Sequence, residues 1–446
     1  MIIDHKNLRT LAREMLVGAG SEGDEPAIVS DNLVDANLLG HDSHGIGMLP
    51  RYLGAVRSGE LNVNQHARID VDTGPLITVD GGAGYGQVIG LEAMDIGIER
   101  ARQHGVCVLA TRRSFHLGRI GAWGERCADA GLVSMHHVNV VGHQGLVAPY
   151  RGSDARYATN PYCCALTETP GHEREVLDMA TTMMAHGKIR VARNKGEQLP
   201  EGVVIDGHGR PSTDPDVMFQ SPQGAMMPFA SYKGYGLALS CELFAGVLSG
   251  GGTCRPETNR EHDTILNNML SVIIDPTRMV GQDFFDNEAA ATLSHVKASP
   301  PMNSDEPVLV PGDPERATGK QRRADGIPVD EQSWQLFADA DLETGLTEER
   351  WARILSSRAV RESPEDVLGP LDRPAALCPR VCLARCWPLQ TGSILCWAFS
   401  LQVKNPREKR IPMDCAGPHW VLSGCWARRN LIWMVRLWWN TLPMVM

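Results

Sequence analysis

Residues 40–52 read Gly40-His41-Asp42-Ser43-His44-Gly45-Ile46-Gly47-Met48-Leu49-Pro50-Arg51-Tyr52. The stretch places two imidazoles, a carboxylate and a hydroxyl between glycines. It follows residues 30–39, which carry a capping serine and apolar residues at helical spacing, and Gly40 is typical of a helix end. Functional side chains are common where a rigid element passes into a loop. Two interpretations are open from this stretch alone: a cluster of working residues, or a helix cap followed by a turn.

Composition bounds the class of protein. The chain has 446 residues, of which 43% are hydrophobic and 22% charged, enough for one large core or two domains. Its net charge of −10 argues against a nucleic-acid-binding groove, because sequence-independent binding to the phosphates of DNA or RNA needs a positively charged surface. The N-terminus carries charges and no apolar run of the signal-peptide kind, and the scattered cysteines of the first 370 residues suit reduced thiols. We therefore expect a cytoplasmic protein with no membrane partner.

Hydrophobic periodicity predicts the fold class. Residues 4–39 read as two amphipathic helices around the loop Gly18-Ala19-Gly20-Ser21-Glu22-Gly23, which matches G-x-G-x-x-G. Because this loop follows a helix and not a strand, we interpret it as a helix–helix turn, not as a dinucleotide fingerprint. Apolar and alternating runs predict strands over residues 67–80, 106–110, 132–141 and 270–274, and helical patterns cover residues 52–58, 87–103, 237–248 and 333–360. The sequence Pro311-Gly312-Asp313-Pro314 is typical of a turn. Strands that alternate with helices predict the α/β class.

Three further polar segments lie at the ends of predicted elements. Residues 114–121 follow the apolar run 106–110, residues 178–188 follow another strand-like run, and Tyr232-Lys233-Gly234-Tyr235-Gly236 precedes an apolar helix. A lysine on a glycine-flanked turn before a helix can bind an anionic ligand together with the helix N-terminus. It can equally be a solvated surface lysine.

Two chemistries fit these loops. In carbonyl reduction an imidazole protonates the developing alkoxide, cationic groups hold a carboxylate and phosphates, and a nicotinamide supplies hydride. Histidine suits this exchange because its unperturbed pKa is about 6.5. The alternative is a metal-dependent hydrolase in which His41 and His44 bind the metal together with His136 or His143. Its weakness is that no carboxylate is marked out as a base or further ligand.

The composition changes at about Leu371. From there to the end ten Lys or Arg stand against three Asp or Glu, and seven of the ten tryptophans lie in this part. Cys378, Cys382 and Cys386 do not have the spacing of common zinc or iron–sulfur clusters. We interpret residues 371–446 as an atypical Cys- and Trp-rich extension, non-native or disordered.

Several motifs, in order along the chain, resemble the malate/L-lactate dehydrogenase family over roughly residues 8–361. They are residues 40–45, His116-Leu117-Gly118-Arg119, Thr159-Asn160-Pro161, Asp178-Met179-Ala180-Thr181, Lys233-Gly234-Tyr235-Gly236 and Pro311-Gly312-Asp313. The resemblance implies an α/β, non-Rossmann fold with mixed sheets and flanking helices. It also implies reduction of small 2-oxo acids to 2-hydroxy acids with NAD or NADP, the reverse oxidation, a homodimer and no metal site.

The resemblance further implies a division of the chain. Residues 1–80 are expected to form an N-terminal helical region on the substrate side that packs with the C-terminal part of the core. Residues 81–310 are expected to form the NAD(P)-binding α/β core, and residues 311–370 its C-terminal helical part. The extension at 371–446 has no counterpart in the family pattern.

Carried over by position, the resemblance assigns roles to individual residues. It makes His116 the acid/base group, with Ser43 and His44 beside the substrate and the nicotinamide. Met48 stands where many relatives carry arginine, which leaves Arg51 or Arg119 as candidates for the substrate carboxylate. The implied cofactor contacts are His44, Gly118, Arg119, Ile120, Val176, Leu177, Asp178, Met179, Ala180, Tyr232, Lys233, Asn267, Gly312, Asp313, Pro314 and Glu315.

Overall fold

The computed structural model describes residues 1–258 and 264–342, all of which belong to the compact unit Met1–Gly369. The predicted helix 333–360 lies partly outside these residues. The extension at 371–446 lies wholly outside them. Among the helices of the described ranges, none combines the length and the apolar composition that crossing a bilayer requires.

Helices and 3₁₀ turns surround strands along the described chain. The α-helices are α1 His5–Gly18, α2 Glu25–Leu38, α3 Leu49–Ser58, α4 Gly86–His104, α5 Gly121–Asp129, α6 His186–Lys195, α7 Tyr232–Leu248, α8 Gln282–Lys297, α9 Asp313–Asp325 and α10 Glu331–Leu342. The strands are β1 Ile2–Ile3, β2 Arg68–Asp72, β3 Leu76–Asp80, β4 Val106–Ser114, β5 Val133–Val141, β6 Tyr162–Leu166, β7 Glu175–Met179, β8 Val204–Ile205, β9 Pro211–Ser212, β10 Ala225–Met226, β11 Leu266–Ile274 and β12 Ile327–Pro328.

A seven-stranded sheet is the centre of the fold, with the order β2-β3-β4-β11-β5-β6-β7. Only β3 and β4 run parallel within it, and the other neighbours are antiparallel. Two small sheets, β1-β12 and β10-β8-β9, complete the described strands. The predicted α/β fold with mixed sheets and flanking helices is confirmed.

Local sequence explains the first helices. Asp4 caps α1 by accepting the backbone N–H of Lys6 at 2.8 Å, and α1 buries residues at helical spacing from Leu8 to Leu16. The glycine-rich loop predicted as a helix–helix turn does join α1 to α2. At α3, Pro50 lies in the first turn and Gly59 ends the helix in the left-handed region, with φ of 76°.

Two hydrophobic cores meet at one loop. The first is formed by α1, α2, α3 and side chains from residues 327–340, and it includes Phe115. The second lies between the central sheet and helices α4 and α5, and it includes Leu117. His116, the predicted acid/base group, therefore lies between Phe115 and Leu117, which are buried in different cores.

The structure corrects two expectations about helix ends. Lys233 was expected on a turn ahead of a helix, but α7 begins at Tyr232, so Lys233 lies in the first helical turn. The glycine at 234 serves close packing, since a Cβ there would collide with the backbone oxygen of Phe229. Similarly, residues 311–314 were interpreted as a turn, whereas α9 already begins at Asp313.

Candidate active site

The backbone around His116 is held on both sides. Phe115 and Leu117 are both buried, and the N–H of Leu117 donates to the side-chain oxygen of Asn267 on β11 at 2.8 Å. Helix α4 begins at Gly86, where a Cβ would collide with the carbonyl oxygen of His116. The fold thus fixes the position of His116 at the end of β4.

The predicted catalytic residues come together around the His116 ring. Its Nδ1 lies 2.6 Å from the hydroxyl of Tyr52, and its ring stacks on that of His44 with centroids 5.5 Å apart and planes at 16°. The hydroxyl of Ser43 lies 2.9 Å from Nδ1 of His44. Within the described residues no hydrogen bond occupies Nε2 of His116, so this nitrogen is available to a substrate.

Electrostatics keep the two imidazoles neutral. Burial, together with His44 and Arg51, holds the pKa of His116 well below its usual value. Burial also lowers the pKa of His44, and of the charged groups that act on it Asp178 opposes this effect while Arg119 adds to it. A neutral imidazole can accept the proton of an alcohol, as general-base catalysis requires.

The loop that carries Ser43 and His44 is braced from two helices. On α2, Asn37 accepts the N–H of Ile46 at 2.7 Å and donates to Asp42 at 2.7 Å. From α9, Arg322 binds both carboxylate oxygens of Asp42 at 2.7 and 3.0 Å and donates to the backbone oxygen of Asn37. Bidentate arginine–carboxylate contacts fix orientation as well as distance. Asp42 therefore has a structural task, while Ser43 and His44 face the site.

An open cleft contains several of the expected nucleotide contacts. Its lining residues are Leu39, Arg119, Glu125, Glu173, Arg174, Val176, Asp178, Gly312, Glu315 and Arg316. Five of them were assigned to the cofactor from sequence: Arg119, Val176, Asp178, Gly312 and Glu315. The cleft is linked to the histidine loop, because Nε2 of His41 lies 3.4 Å from Glu315 and that hydrogen bond lowers the pKa of the Glu315 carboxyl group.

Arg119 is the most buried cation of the cleft. Its side chain is 4% exposed and binds the carboxylate of Glu125, while Asp178 lies 3.9 Å away. Asp178 in turn accepts the N–H of Gly121, at the start of α5, at 2.8 Å. This arrangement joins α5, β7 and the loop after His116 into one wall of the cleft.

Other predicted cofactor residues lie outside the lining of this cleft. Tyr232 is 60% exposed and its ring contacts Tyr150, and Lys233 beside it is also exposed. Ile120 is buried in the second core, and Asn267 supports the His116 loop. Leu177, Met179 and Ala180 lie half-buried along and after β7, and Pro314 is exposed in the first turn of α9. Gly118 is buried in the loop after His116, with φ of +71°.

Asp313 is held by its own neighbours. Burial alone would raise the pKa of Asp313, but hydrogen bonds from the backbone of Val310, from Arg316 and from Lys297 outweigh it and lower the pKa to about 2. The side-chain bonds measure 2.6 Å to Arg316 and 3.0 Å to Lys297. Its carboxylate therefore stabilises the start of α9.

The two expected substrate residues have different surroundings. Met48 is half-buried and packs against the apolar cluster of Val140, Ala158 and Ile265. Arg51 is exposed one turn further along α3, and its charge lowers the pKa of His116 as well as that of His186 on α6. Met48 thus extends an apolar surface, and Arg51 places a positive charge within electrostatic reach of His116.

Among the described residues, the fold does not bring together the histidines of the alternative metal site with further ligands. Over the described part of the chain, no group of three His, Cys, Asp or Glu side chains lies close enough to hold a metal ion. His136 is buried in the central sheet, where both ring nitrogens are bonded, to Ser271 at 2.8 Å and to Ser134 at 2.9 Å. Burial lowers the pKa of His136 to about 3, and its nitrogens are already in use.

Sequence reasoning missed residues whose importance depends on long-range contacts. Tyr52 ends the stretch quoted first, but its contact with His116 spans 64 positions. Gln87, which donates to the Tyr52 hydroxyl at 3.0 Å, lies in an ordinary helical pattern. Arg322 and Arg316 come from α9, a helix whose first turn was interpreted as a loop. No local signal marks any of the four.

Comparison with known proteins gives consistent matches. The profile of the family described as malate/L-lactate dehydrogenase matches residues 3–337. Hydroxycarboxylate dehydrogenase B of Escherichia coli is 44% identical over 346 residues, which cover 77% of this chain and 94% of that protein. L-lactate dehydrogenase of Cupriavidus necator is 38% identical over 335 residues, covering 75% of this chain and 95% of that protein.

A solved structure shows the same architecture. Sulfolactate dehydrogenase from Methanocaldococcus jannaschii superposes with a TM-score of 0.70 at 30% sequence identity, over 78% of this chain and 99% of that one. The residues matched by the family profile, 3–337, include the histidine pair and all residues that line the cleft.

Proposed function

The chain belongs to the malate/L-lactate dehydrogenase family, and on that premise we propose that it transfers hydride between NAD or NADP and a small 2-oxo or 2-hydroxy acid. Family membership itself makes the chain an oxidoreductase of 2-hydroxy acids. The cofactor, the residue roles and the preferred acid are the further steps of the proposal.

The observation that carries the proposal is the stacked pair of His44 and His116, which is coupled to the cleft through Asp178 and Arg119. Proton transfer and hydride transfer must occur on adjacent atoms of the substrate, so an acid/base group has to lie beside the cofactor site. Here His44 stacks on His116 and lies within electrostatic reach of Asp178 and Arg119, two residues that line the cleft.

In this proposal His116 donates and accepts the substrate proton. In the direction of reduction, Nε2–H of the protonated ring donates to the substrate carbonyl oxygen as negative charge develops there. In the direction of oxidation, neutral His116 accepts the hydroxyl proton at the same nitrogen. The nicotinamide, when bound, supplies the hydride for reduction and takes it up in oxidation.

The lining of the cleft suits a dinucleotide. Leu39 and Val176 offer apolar walls for a base, and Arg119, Arg174 and Arg316 offer cations for phosphates. The carboxylates of Glu173 and Glu315 can accept hydrogen bonds from ribose hydroxyls. We assign these residues to holding the cofactor.

The charge balance of the cleft favours NAD over NADP. Each of its three arginines already has a carboxylate partner: Glu125 for Arg119, Asp129 for Arg174 and Asp313 for Arg316. Four carboxylates line the cleft against these three cations. An additional phosphate would enter a site without surplus positive charge, which is unfavourable.

The substrate pocket follows from Met48 and Arg51. Arg51 is the candidate partner of the substrate carboxylate, since its charge reaches His116. Met48, packed on Val140, Ala158 and Ile265, gives the pocket an adaptable apolar wall. This pair favours 2-oxo acids with a bulky or aromatic side chain, such as an aryl-pyruvate, over dicarboxylic acids.

We also propose a cytoplasmic homodimer. Helix α7 exposes Leu239, Leu243, Phe244, Val247 and Leu248 at spacings that place them along one face. Helix α8 buries none of its own residues within the chain. A second copy would cover these apolar surfaces, and the described cysteines, all free thiols, suit a reducing compartment.

A substrate panel tests the function. The purified protein is mixed with NADH or NADPH and with pyruvate, oxaloacetate or phenylpyruvate, and the nicotinamide absorbance is followed, with and without a chelator. We expect 2-oxo-acid-dependent oxidation of NADH that the chelator leaves intact. No oxidation of NADH or NADPH with any 2-oxo acid would contradict the proposal, and activity that is lost on chelation and restored by zinc would contradict its metal-free mechanism.

A further inference from the structure

A buried chain of three side chains leads away from the proposed catalytic site. The Tyr52 hydroxyl lies 2.6 Å from Nδ1 of His116 and 3.0 Å from the amide nitrogen of Gln87. Tyr52 and Gln87 are both fully buried. The other polar amide atom of Gln87, Oε1, is buried and has no hydrogen-bond partner among the described residues.

The single proton of the tyrosine restricts this chain. Burial raises the pKa of Tyr52, so its hydroxyl stays protonated and has one hydrogen to donate. With the amide nitrogen of Gln87 donating to Tyr52, that hydrogen goes to Nδ1 of His116. A neutral His116 then carries its own proton on Nε2, and it cannot accept the proton of an alcohol there.

The opposite arrangement follows from turning the amide of Gln87 over. Its Oε1 then accepts the Tyr52 hydrogen, and the Tyr52 oxygen accepts Nδ1–H from His116. The lone pair of Nε2 becomes free for an alcohol proton. The turn also gives the unpartnered Oε1 of Gln87 a donor, which a buried carbonyl oxygen needs.

We propose that Tyr52 and Gln87 are positioning residues that act as a two-state switch, in which the orientation of the Gln87 amide sets which nitrogen of His116 carries the proton. The proposal rests on the proposed function, since it gives His116 the acid/base role. Neither residue touches the substrate in this scheme. Both act through His116.

Reduction consumes one proton, which solvent returns to His116 after each turnover. In reduction, Nε2–H of the doubly protonated ring breaks and an O–H bond forms on the substrate oxygen, while hydride from NADH forms the C–H bond. His116 is left neutral with its proton on Nδ1, bonded to the Tyr52 oxygen. Oxidation runs the same steps backwards and takes the alcohol proton onto Nε2.

Other charged or titratable groups act on His116 without deciding which of its nitrogens carries the proton. His44 stacks on its ring, and Arg51 acts on it from α3. Both disfavour the doubly protonated, positively charged ring, and the described partner of Nδ1 is Tyr52. The choice between the two neutral tautomers is therefore left to Tyr52 and Gln87.

Imidazole NMR tests the switch directly in the full-length protein. With ¹⁵N-histidine, the resonances of His116 are assigned by their loss in His116→Gln, and long-range correlations report which nitrogen carries the proton. We expect the Nε2–H tautomer in the wild type without substrate, a mixture in Tyr52→Phe, and a locked Nε2–H tautomer in Gln87→Met. An unchanged tautomer in Tyr52→Phe would overturn the proposal.

Kinetics of the same variants supply a second readout. Tyr52→Phe and Gln87→Met should each lower kcat by about tenfold to a hundredfold, with little change in KM for NADH. The double variant should be no slower than Tyr52→Phe, because Gln87 acts only through Tyr52. Effects that multiply in the double variant would show separate structural roles and overturn the switch.

The matched control is Tyr85→Phe. Tyr85 is a fully buried tyrosine whose ring lies 6.0 Å from that of Tyr52, but His116 is not its partner. It should keep the wild-type tautomer and kcat. A wild type with no activity on any 2-oxo acid would contradict the proposed function instead, and the tautomer measurement would still decide the switch.

Discussion

The rings of His44 and His116 lie parallel, at 16°, with their centroids 5.5 Å apart. One comes from a loop braced by α2 and α9, the other from the end of β4. Two protonated imidazoles at this distance would repel each other, so the pair favours neutral rings. The stack therefore links the geometry of the site to its dependence on pH.

The first prediction concerns that dependence. Because burial, His44 and Arg51 hold the pKa of His116 below 6.5, kcat/KM for oxidation of a 2-hydroxy acid should stay level from neutral pH down to below 6.5. The kcat/KM for reduction needs protonated His116 and should rise as the pH falls over the same range. Initial rates in both directions across this range measure the effect.

Arg51→Gln sharpens the pH test. Removing the positive charge should raise the pKa of His116 and move the bend in the profile to higher pH. Arg57→Gln, at the exposed last turn of the same helix, is the control. A wild-type bend above 6.5, or one that Arg51→Gln leaves in place, would argue against His116 as the titrating group.

The second prediction concerns substrate choice. Met48→Arg should shift the ratio of kcat/KM for phenylpyruvate and oxaloacetate towards oxaloacetate, since a cation would replace an apolar wall. Met48→Leu keeps the wall apolar at similar volume and should keep the wild-type ratio. Equal ratios in the arginine and leucine variants would remove Met48 from substrate selection.

The sequence predicted the elements with strong local signals. The periodic helices of residues 4–39, the turn at Gly18–Gly23 and the buried strands all appear in the structure. Ser30 was expected to cap a helix, but it lies inside α2 and its hydroxyl donates to the backbone oxygen of Ala27 at 3.0 Å. Lys233 shows where such signals fail. Flanking glycines suggested a turn. Position 234 needs a glycine because α7 packs closely on the backbone of Phe229, a contact that local sequence does not reveal.

The residues of the candidate site also fall into those with a local sequence signal and those without one. Ser43, His44 and His116 were predicted, and the structure brings them together. Tyr52, Gln87 and Arg322 were not, because each acts through a partner distant in sequence. Helix α8 was also missed: it buries none of its residues, so its pattern lacks the apolar stripe that identifies a helix.

The third prediction concerns stability in acid. Burial lowers the pKa of His136 to about 3, so between about 6.5 and 3 the unfolded chain binds a proton that the folded chain does not. The free energy of unfolding should therefore fall as the pH decreases through this window, with His136 contributing about 1.4 kcal/mol per pH unit. Urea unfolding of wild type and His136→Gln at several pH values measures the slope.

His66→Gln is the control of opposite sign. The hydrogen bond with Glu92 raises the pKa of His66, so this histidine stabilises the fold at acid pH and its loss cannot make the slope shallower. The account of His136 predicts a shallower slope in His136→Gln alone. Equal slopes in wild type and His136→Gln would refute it.

The fourth prediction concerns assembly. Leu243→Glu places a charge in the exposed apolar face of α7 and should reduce the mass measured by light scattering from two chains to one. Val17→Glu changes an exposed apolar residue on α1 and should leave two chains. A monomeric wild type would exclude the proposed dimer. A Leu243→Glu variant that remains dimeric would place the dimer contact elsewhere.

In the proposed function His116 exchanges a proton with the substrate during hydride transfer, and the turnover of His116→Gln tests this role. We expect kcat for reduction of the best 2-oxo acid to fall by about 10²- to 10⁴-fold, while the Kd for NADH, from quenching of protein fluorescence, stays at the wild-type value. His104→Gln, at the exposed end of α4, should change neither quantity. Near-normal turnover in His116→Gln with intact NADH binding would contradict the account.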